Sequence, residues 1–361
     1  MTALKTRIAS LIAASGPISV AEYMALCLFD PADGYYTTRE PFGTEGDFTT
    51  APEISQMFGE LVAIWLYAAW QASGRPAGAT LAEIGPGRGT LMKDVLRVLT
   101  RLDAAFVASV SAALVETSPR LREVQKRTLA DSGIRIEWHD TVSTLRDAPL
   151  FIVGNELFDA IPTRQFVKIG AAWHERAVGV SEPGELAFVA GPATIEAAFL
   201  PPGSKDAPEG SIFELAPART ATMEAVAERI AASGGAGLFL DYGHLSPGIG
   251  DTLQALRRHR YEDVLATPGE ADLTSHVDFA ALASAARAHG LDAHLATQGE
   301  FLLAMGLLER AGKLGANADD AAREKIHSEV ERLAGPDAMG TLFKVIAIAP
   351  RGTKLPFPTV S

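Results

Sequence analysis

Glu83-Ile84-Gly85-Pro86-Gly87-Arg88-Gly89-Thr90 decides how this chain is read. The stretch closes a short apolar run, Thr80–Ile84, and opens a segment, 91–102, whose apolar residues recur at helical spacing. A strand that turns through glycines into a helix presents backbone to a ligand. Residues without Cβ turn tightly and let a ligand come close, and the first turn of a helix has N–H groups with no partner in the chain. The spacing narrows the ligand. A dinucleotide loop reads G-x-G-x-x-G, so that a pyrophosphate rests on the helix; here the glycines stand at 85, 87 and 89, the tighter G-x-G-x-G. No Lys-Ser/Thr pair follows them, which excludes a Walker loop. A mere strand-to-helix connection could carry the same glycines, so the flanking sequence has to decide.

Outward from the loop, strands and helices alternate. Residues 112–116 read as a second strand, 119–130 as a helix with Ser118 as N-cap, 134–138 as a third strand and Leu150–Asn155 as a fourth; the pattern returns at 237–241 and 342–349. Such alternation implies a mostly parallel sheet with both faces covered, which binds its ligand beyond the carboxyl ends of its strands. Acids stand at those ends. Glu83 closes the first strand. Glu116 closes the second and can accept hydrogen bonds from both hydroxyls of a ribose. Asp140 follows the third and could reach an adenine amino group. Together with Gly85, Pro86, Gly87 and Gly89 this resembles the first motif and flanking strands of class I methyltransferases, where S-adenosylmethionine lies across the loop without a phosphate.

The fourth strand runs into Asn155-Glu156-Leu157-Phe158-Asp159-Ala160-Ile161-Pro162. In class I N-methyltransferases the substrate nitrogen is kept at this place, so Asn155, Glu156 and Asp159 are candidate catalytic residues. An amide oxygen or carboxylate can hold an N–H and aim the nitrogen lone pair, and in an in-line displacement such positioning supplies much of the rate. Capping of the next turn is the alternative for Asn155 and Asp159. The other dense polar stretch is Gly43-Thr44-Glu45-Gly46-Asp47-Phe48-Thr49-Thr50-Ala51-Pro52-Glu53-Ile54-Ser55. Thr50 to Glu53 fits a helix start with a capping pair and Pro52 in the first turn. Asp47 and Thr50 are expected near the methionine end of the cofactor, and Glu53 on the substrate.

Bulk properties bound the rest. At 361 residues the chain suggests about two domains, or one with large insertions. The formal net charge is −12, and nucleic acid is not an expected partner because no basic face is evident; the densest basic stretch, Arg257-Arg258-His259-Arg260, reads as a solvated helix end. The single cysteine, Cys27, lies in an apolar run and reads as structural. Eight histidines show no paired ligand spacing, so no metal is expected. Lys5 and Arg7 precede an apolar run, but its periodicity favours an amphipathic first helix over a signal peptide, and a cytoplasmic protein is expected. The expected architecture is a Rossmann-like α/β core (76–162 and 234–361), a helical N-terminal extension with a glycine-rich loop (1–75) and an inserted α+β subdomain (163–233). Residues 251–278 are read as an irregular loop covering the active site, and 280–289 and 301–313 as helices.

With these residues on the page, the chain resembles the MidA-like methyltransferases. The matching stretches are 46–55, 83–91, 155–162, Asp272-Leu273-Thr274-Ser275-His276-Val277-Asp278-Phe279, Gln298-Gly299 and 339–345. The resemblance implies a class I methyltransferase fold with S-adenosylmethionine as cofactor. For the family's mitochondrial member, a complex I assembly factor, it implies methylation of an arginine in a complex I subunit. Asp272 and His276 are then candidate substrate-binding residues, His276 lining the site rather than serving as a base. Thr49 and Ser275 depart from the family pattern, which has a bulkier apolar residue and an alanine there. Protein arginine methylation is the expected function; a non-catalytic S-adenosylmethionine-binding assembly factor and a small-molecule methyltransferase stay open, and a homo-oligomer is compatible.

Overall fold

The computed structural model describes residues 2–38, 50–182 and 184–358. The chain forms two compact units from interleaved segments. One consists of Thr49–Leu157, Ala221–Leu245 and Phe279–Ser361, the other of Met1–Phe48, Phe158–Thr220 and Ser246–Asp278.

The first unit holds the main sheet: β1 (Thr80–Ile84), β2 (Ser111–Val115), β3 (Ile136–His139), β4 (Leu150–Asn155), β5 (Gly235–His244), β6 (Leu291–Thr297) and β7 (Phe343–Pro350), side by side in the order β3-β2-β1-β4-β5-β7-β6. The pairs from β3 across to β5 are parallel, and β7 runs antiparallel to both its neighbours. Every residue of β1 and β4 is buried. That is why these strands read as continuous apolar runs: helices cover both faces of a parallel sheet. Helix α1 (Gln56–Ala72) buries Phe58, Val62, Trp65, Leu66 and Ala69, and α2 (Thr90–Leu102) buries Leu91, Val95 and Leu99, in one cluster with Leu81, Phe151, Leu238 and Val345 of the sheet. The strand order reverses between β1 and β4. At such a switch point the connections leave in opposite directions and a crevice opens at the strand carboxyl ends. The glycine loop and Asn155 lie at those ends.

The second unit joins parts that sequence continuity separates. Helices Ala3–Ser15 and Val20–Phe29 bury Leu4, Ile8, Tyr23, Met24 and Leu28 in a cluster with Val178 and Leu186 of the insertion. A two-residue strand, Ile18–Ser19, pairs antiparallel with strand Ala172–Glu182, which carries strands Arg164–Ile169 and Glu185–Thr194 on its two edges. The described residues 2–38 therefore share a core with the insertion, whereas α1, expected in the N-terminal extension, belongs to the main sheet because its wide apolar face is buried there. The expected irregular loop 251–278 contains a three-stranded antiparallel sheet, Gln254–Arg257, Arg260–Glu262 and Asp272–Thr274.

Two readings of local structure are corrected. Arg257-Arg258-His259-Arg260 is a hairpin tip, not a helix end: Arg257 pairs with Arg260 across it, and Arg258 and His259 have φ of 51° and 60°. Positive φ at both central residues matches the twist of a hairpin, but the usual Asn-Gly signal is missing, so the sequence hid it. The segment 301–313 is not one helix. Gln298–Ala304 ends before Gly306, whose φ of 93° restarts the chain as Leu307–Gly315. Among the described residues no helix is long and apolar enough to cross a membrane.

Candidate active site

The glycine loop leaves β1 with Gly85, Gly87 and Gly89 all at positive φ: 66°, 51° and 84°. At Gly85 space is short as well, because a Cβ would lie 2.9 Å from Leu157 Cδ1, just past β4. A side chain here would be strained by conformation and by contact together. Gly89 caps α2, and the first helical residue, Thr90, donates its hydroxyl to Glu53 Oε1 at 2.7 Å. Thr50 is the N-cap of helix Ala51–Ile54 with Pro52 in its first turn, as expected, but its hydroxyl makes no cap bond. The capping pair with Glu53 is not formed, because Glu53 is turned to the start of α2.

Glu83 is buried in β1, and its Oε2 has no hydrogen-bond partner among the described residues. Burial pushes its carboxyl up to about 8, partly offset by the backbone N–H of Met92. A buried carboxyl with one oxygen unfilled is costly to ionise, and carboxyls raised in this way cluster at functional sites. Glu116, at the end of β2, is gripped on both oxygens: Oε1 accepts from Ser118 N at 2.7 Å and Oε2 from Gln125 Nε2 at 3.1 Å. Burial raises its carboxyl too, opposed by those hydrogen bonds. Asp140 is largely exposed and pairs with Arg122 at 2.6 Å; the same arginine donates to the carbonyl of Glu116 at 2.7 Å. The acids after β2 and β3 are thus linked through one side chain.

Where the chain leaves β4, Glu156 adopts φ of 49°, a left-handed conformation uncommon outside glycine and concentrated at functional sites. Its Oε1 accepts from Asn155 Nδ2 at 3.0 Å and from Ala51 N at 3.3 Å. The backbone is pinned by Glu156 N donating to Leu240 O at 2.9 Å. Turning its amide N–H₂ to Glu156 leaves Asn155 with Oδ1 buried and without a donor among the described residues.

Asp159, Asp272 and His276 fall in the other unit. Asp159 and Asp272 are buried. Tyr36 donates its hydroxyl to Asp272 Oδ2 at 3.0 Å, and its phenol is held well above the ordinary range by burial and then by the charges of Asp272 and Asp159. His276 is fixed by its backbone, its N–H donating to Thr252 Oγ1 at 2.9 Å. Arg219, which the sequence reading passed over, ties these stretches together. It donates to Ile161 O at 3.0 Å, Asp159 O at 3.0 Å, His276 O at 2.7 Å and Ser275 Oγ at 2.6 Å. Ser275, a departure from the family pattern, thereby supplies an acceptor that alanine lacks.

The structure therefore gathers Thr50, Glu53, Glu83, the glycine loop, Glu116, Asp140, Asn155 and Glu156 into one unit, and Asp159, Asp272 and His276 into the other. Asp47 lies outside the described residues. Tyr36, Gln125 and Arg219 were missed. Only Gln125 left a trace in the sequence: Leu121, Gln125 and Leu129 form an i, i+4, i+8 row, a polar residue within an apolar stripe. Among the described residues no three His, Cys, Asp or Glu side chains cluster to hold a metal.

The comparisons with known proteins agree with this geometry. A model of an S-adenosyl-L-methionine-dependent methyltransferase family matches residues 61–297. The mitochondrial protein arginine methyltransferase NDUFAF7 of Homo sapiens is 36% identical over 364 residues, covering 94% of this chain and 81% of that protein; the Rattus norvegicus protein is 35% identical, covering 94% and 82%. A crystal structure from Burkholderia thailandensis with S-adenosyl-homocysteine bound is 32% identical with a TM-score of 0.85, covering 98% of this chain and 92% of that one. These relatives also correct one expectation. The two NDUFAF7 proteins are mitochondrial, which overturns the cytoplasmic assignment. That assignment rested on reading the N-terminus as a helix of the fold; the helix Ala3–Ser15 is there, but a helix buried in a core says nothing of the compartment. Loop, strand order and relatives converge, and the chain belongs to the S-adenosylmethionine-dependent methyltransferases of the MidA-like family.

Proposed function

We propose that the chain methylates a guanidino nitrogen of an arginine in a protein substrate. The observation that carries this is Asn155 Oδ1, a buried acceptor with no donor among the described residues, at the end of β4 beside a strained Glu156. A site that spends backbone strain and leaves an acceptor unfilled is preorganised for an N–H it does not itself contain. The names of the relatives, protein arginine methyltransferases, supply the substrate class. The family resemblance narrows it to a subunit of a respiratory complex I type.

S-adenosylmethionine supplies an electrophilic methyl group on its sulfonium. The residues present fit that cofactor. Gly85, Gly87 and Gly89 offer backbone without Cβ, Glu83 offers a buried carboxyl oxygen that a cation or donor can meet, and Glu116 is held ready for a ribose. Asp140 is assigned to the adenine end, Thr50 and Asp47 to the methionine end. Asn155 and Glu156 orient the nucleophilic nitrogen by accepting its N–H, so that its lone pair faces the methyl group. Asp159 is proposed as a catalytic residue, and Asp272 and His276 as substrate-binding residues, carboxylates being suited to a planar cation. No strong base is required, because the doubly charged adduct formed when a guanidinium nitrogen takes the methyl group loses one proton readily to solvent and leaves a methylguanidinium.

The test is transfer of a labelled methyl group from S-adenosylmethionine to protein in a matched lysate, followed by mass spectrometry of arginines in cells with and without the chain. Methyl-arginine that disappears with the gene supports the reading. Binding of S-adenosylmethionine with no transfer, and an unchanged phenotype for Glu156→Ala, would replace it with a non-catalytic assembly factor.

A further inference from the structure

We propose that Gln125 is a positioning residue for cofactor binding, which fixes the Glu116 carboxylate against the glycine loop so that both ribose hydroxyls meet it without rearrangement. The inference rests on the reading of Glu116 as the ribose acceptor. Helix Pro119–Thr128 carries Gln125 on its buried face, with no solvent exposure. Its amide joins three strand ends. Nε2 donates to Gly87 O at 2.8 Å, in the loop after β1, and to Glu116 Oε2 at 3.1 Å, at the end of β2. Oε1 accepts from Trp138 Nε1 at 2.9 Å, in β3. Both amide hydrogens and one oxygen lone pair are used, so the amide cannot turn over without breaking all three bonds. Its stem also abuts the third loop glycine: a Cβ at Gly89 would lie 3.6 Å from Gln125 Cγ.

The consequence follows from the chemistry of the carboxylate. Glu116 is raised by burial, so each donor that faces it favours the ionised form a diol needs. Ser118 N holds Oε1 and Gln125 holds Oε2, which fixes the plane of the carboxylate. The second N–H of the same amide holds Gly87, so the distance between loop and ribose acceptor is set by one rigid group. A hydrophobic residue of equal size would fill the space and leave Glu116 Oε2, Gly87 O and Trp138 Nε1 unpaired.

The experiment is calorimetric titration of the full chain with S-adenosylhomocysteine and with its 2′,3′-dideoxyribose analogue, for the parent, Gln125→Leu, Gln125→Glu and Glu116→Gln. The expected result is at least a tenfold loss of affinity for S-adenosylhomocysteine in Gln125→Leu, with the dideoxy analogue bound as by the parent. Gln125→Glu keeps the acceptor for Trp138 but sets two carboxyls together, which must share a proton; its affinity should fall as pH rises. Equal loss for both ligands in Gln125→Leu would overturn the proposal, since the amide would then serve only the loop or the fold. Unchanged affinity in Gln125→Leu with a clear loss in Glu116→Gln would overturn it while leaving the ribose reading in place. Unchanged affinity in Glu116→Gln would overturn both. If Gln125→Leu does not fold, the pH slope of Gln125→Glu decides, and a slope like the parent's overturns the proposal.

Discussion

At the scale of single residues, the candidate site holds two polar atoms, Glu83 Oε2 and Asn155 Oδ1, that have no partner among the described residues. Glu83 is the clearest. Its folded-state carboxyl, at about 8, lies above the ordinary 4.5, so between those values the native state holds a proton that the unfolded chain has lost. The stability this contributes is fully present below about pH 4.5 and is lost as pH rises through 8. Glu83→Gln should remove that slope: its unfolding midpoint should match the parent's at pH 5 and exceed it at pH 8.5 in the absence of cofactor. Cofactor binding should show the complement. If Glu83 ionises on meeting a cationic end of S-adenosylmethionine, binding at pH 7 releases about one proton, measurable by calorimetry in buffers of different ionisation enthalpy and abolished in Glu83→Gln. Equal proton release in parent and variant would remove Glu83 from the cofactor site. Asn155 makes a separate prediction. Asn155→Ala should lower the single-turnover methylation rate on the order of 10²-fold while S-adenosylhomocysteine affinity changes little; the reverse pattern would move Asn155 from the substrate to the cofactor.

At the scale of elements, the start of helix Pro119–Thr128 does two things at once. Ser118 Oγ accepts from Leu121 N at 3.4 Å as N-cap, while Ser118 N holds the carboxylate of Glu116 at 2.7 Å. The two roles use different atoms, so they can be separated. Ser118→Ala should cost about 1 kcal/mol of stability through the lost cap and leave cofactor affinity near the parent's, because the backbone donor remains. Thermal unfolding and titration on the same preparation check this. A large loss of affinity would show that the cap also sets the position of Glu116. The same economy explains Glu53. In place of the capping pair that the local sequence suggests, its carboxylate takes the hydroxyl of Thr90 and joins two helix starts.

At the scale of the whole molecule, function and stability are linked through the cofactor. A ligand that binds only the folded state, present at 100 times its dissociation constant, adds about 2.7 kcal/mol. For a chain of this size that raises the unfolding midpoint by roughly 3–4 °C. S-adenosylhomocysteine should produce that shift in the parent and none in Gly87→Val, where a β-branched side chain meets a backbone at φ of 51°. The other unit has its own keystone. Arg219→Ala leaves three carbonyls and the Ser275 hydroxyl without their guanidinium donor, and a loss of at least about 2 kcal/mol is expected. Hydrogen exchange should rise first at 159–161 and 275–276; exchange unchanged at both would show that other contacts suffice to hold them.

Much of the core was legible without coordinates, because its determinants are local. Continuous apolar runs marked β1 and β4, since a strand covered on both faces has no polar side to show. Positive-φ glycines marked the loop, since few other residues tolerate that backbone. Acids at strand ends marked the crevice. By itself, then, the sequence determined the α/β class, the cofactor loop and the family. The tertiary structure alone decided that residues 2–38 share a core with the insertion, that Arg258-His259 turns a hairpin, and that Gln125, Arg219 and Tyr36 hold candidate residues in place. The physical reason is the same throughout. Periodicity and turn chemistry act over a few residues along the chain, whereas a buried hydrogen bond between Gln125 and Gly87, or between Arg219 and Asp159, joins groups 38 or 60 residues apart that only packing brings together.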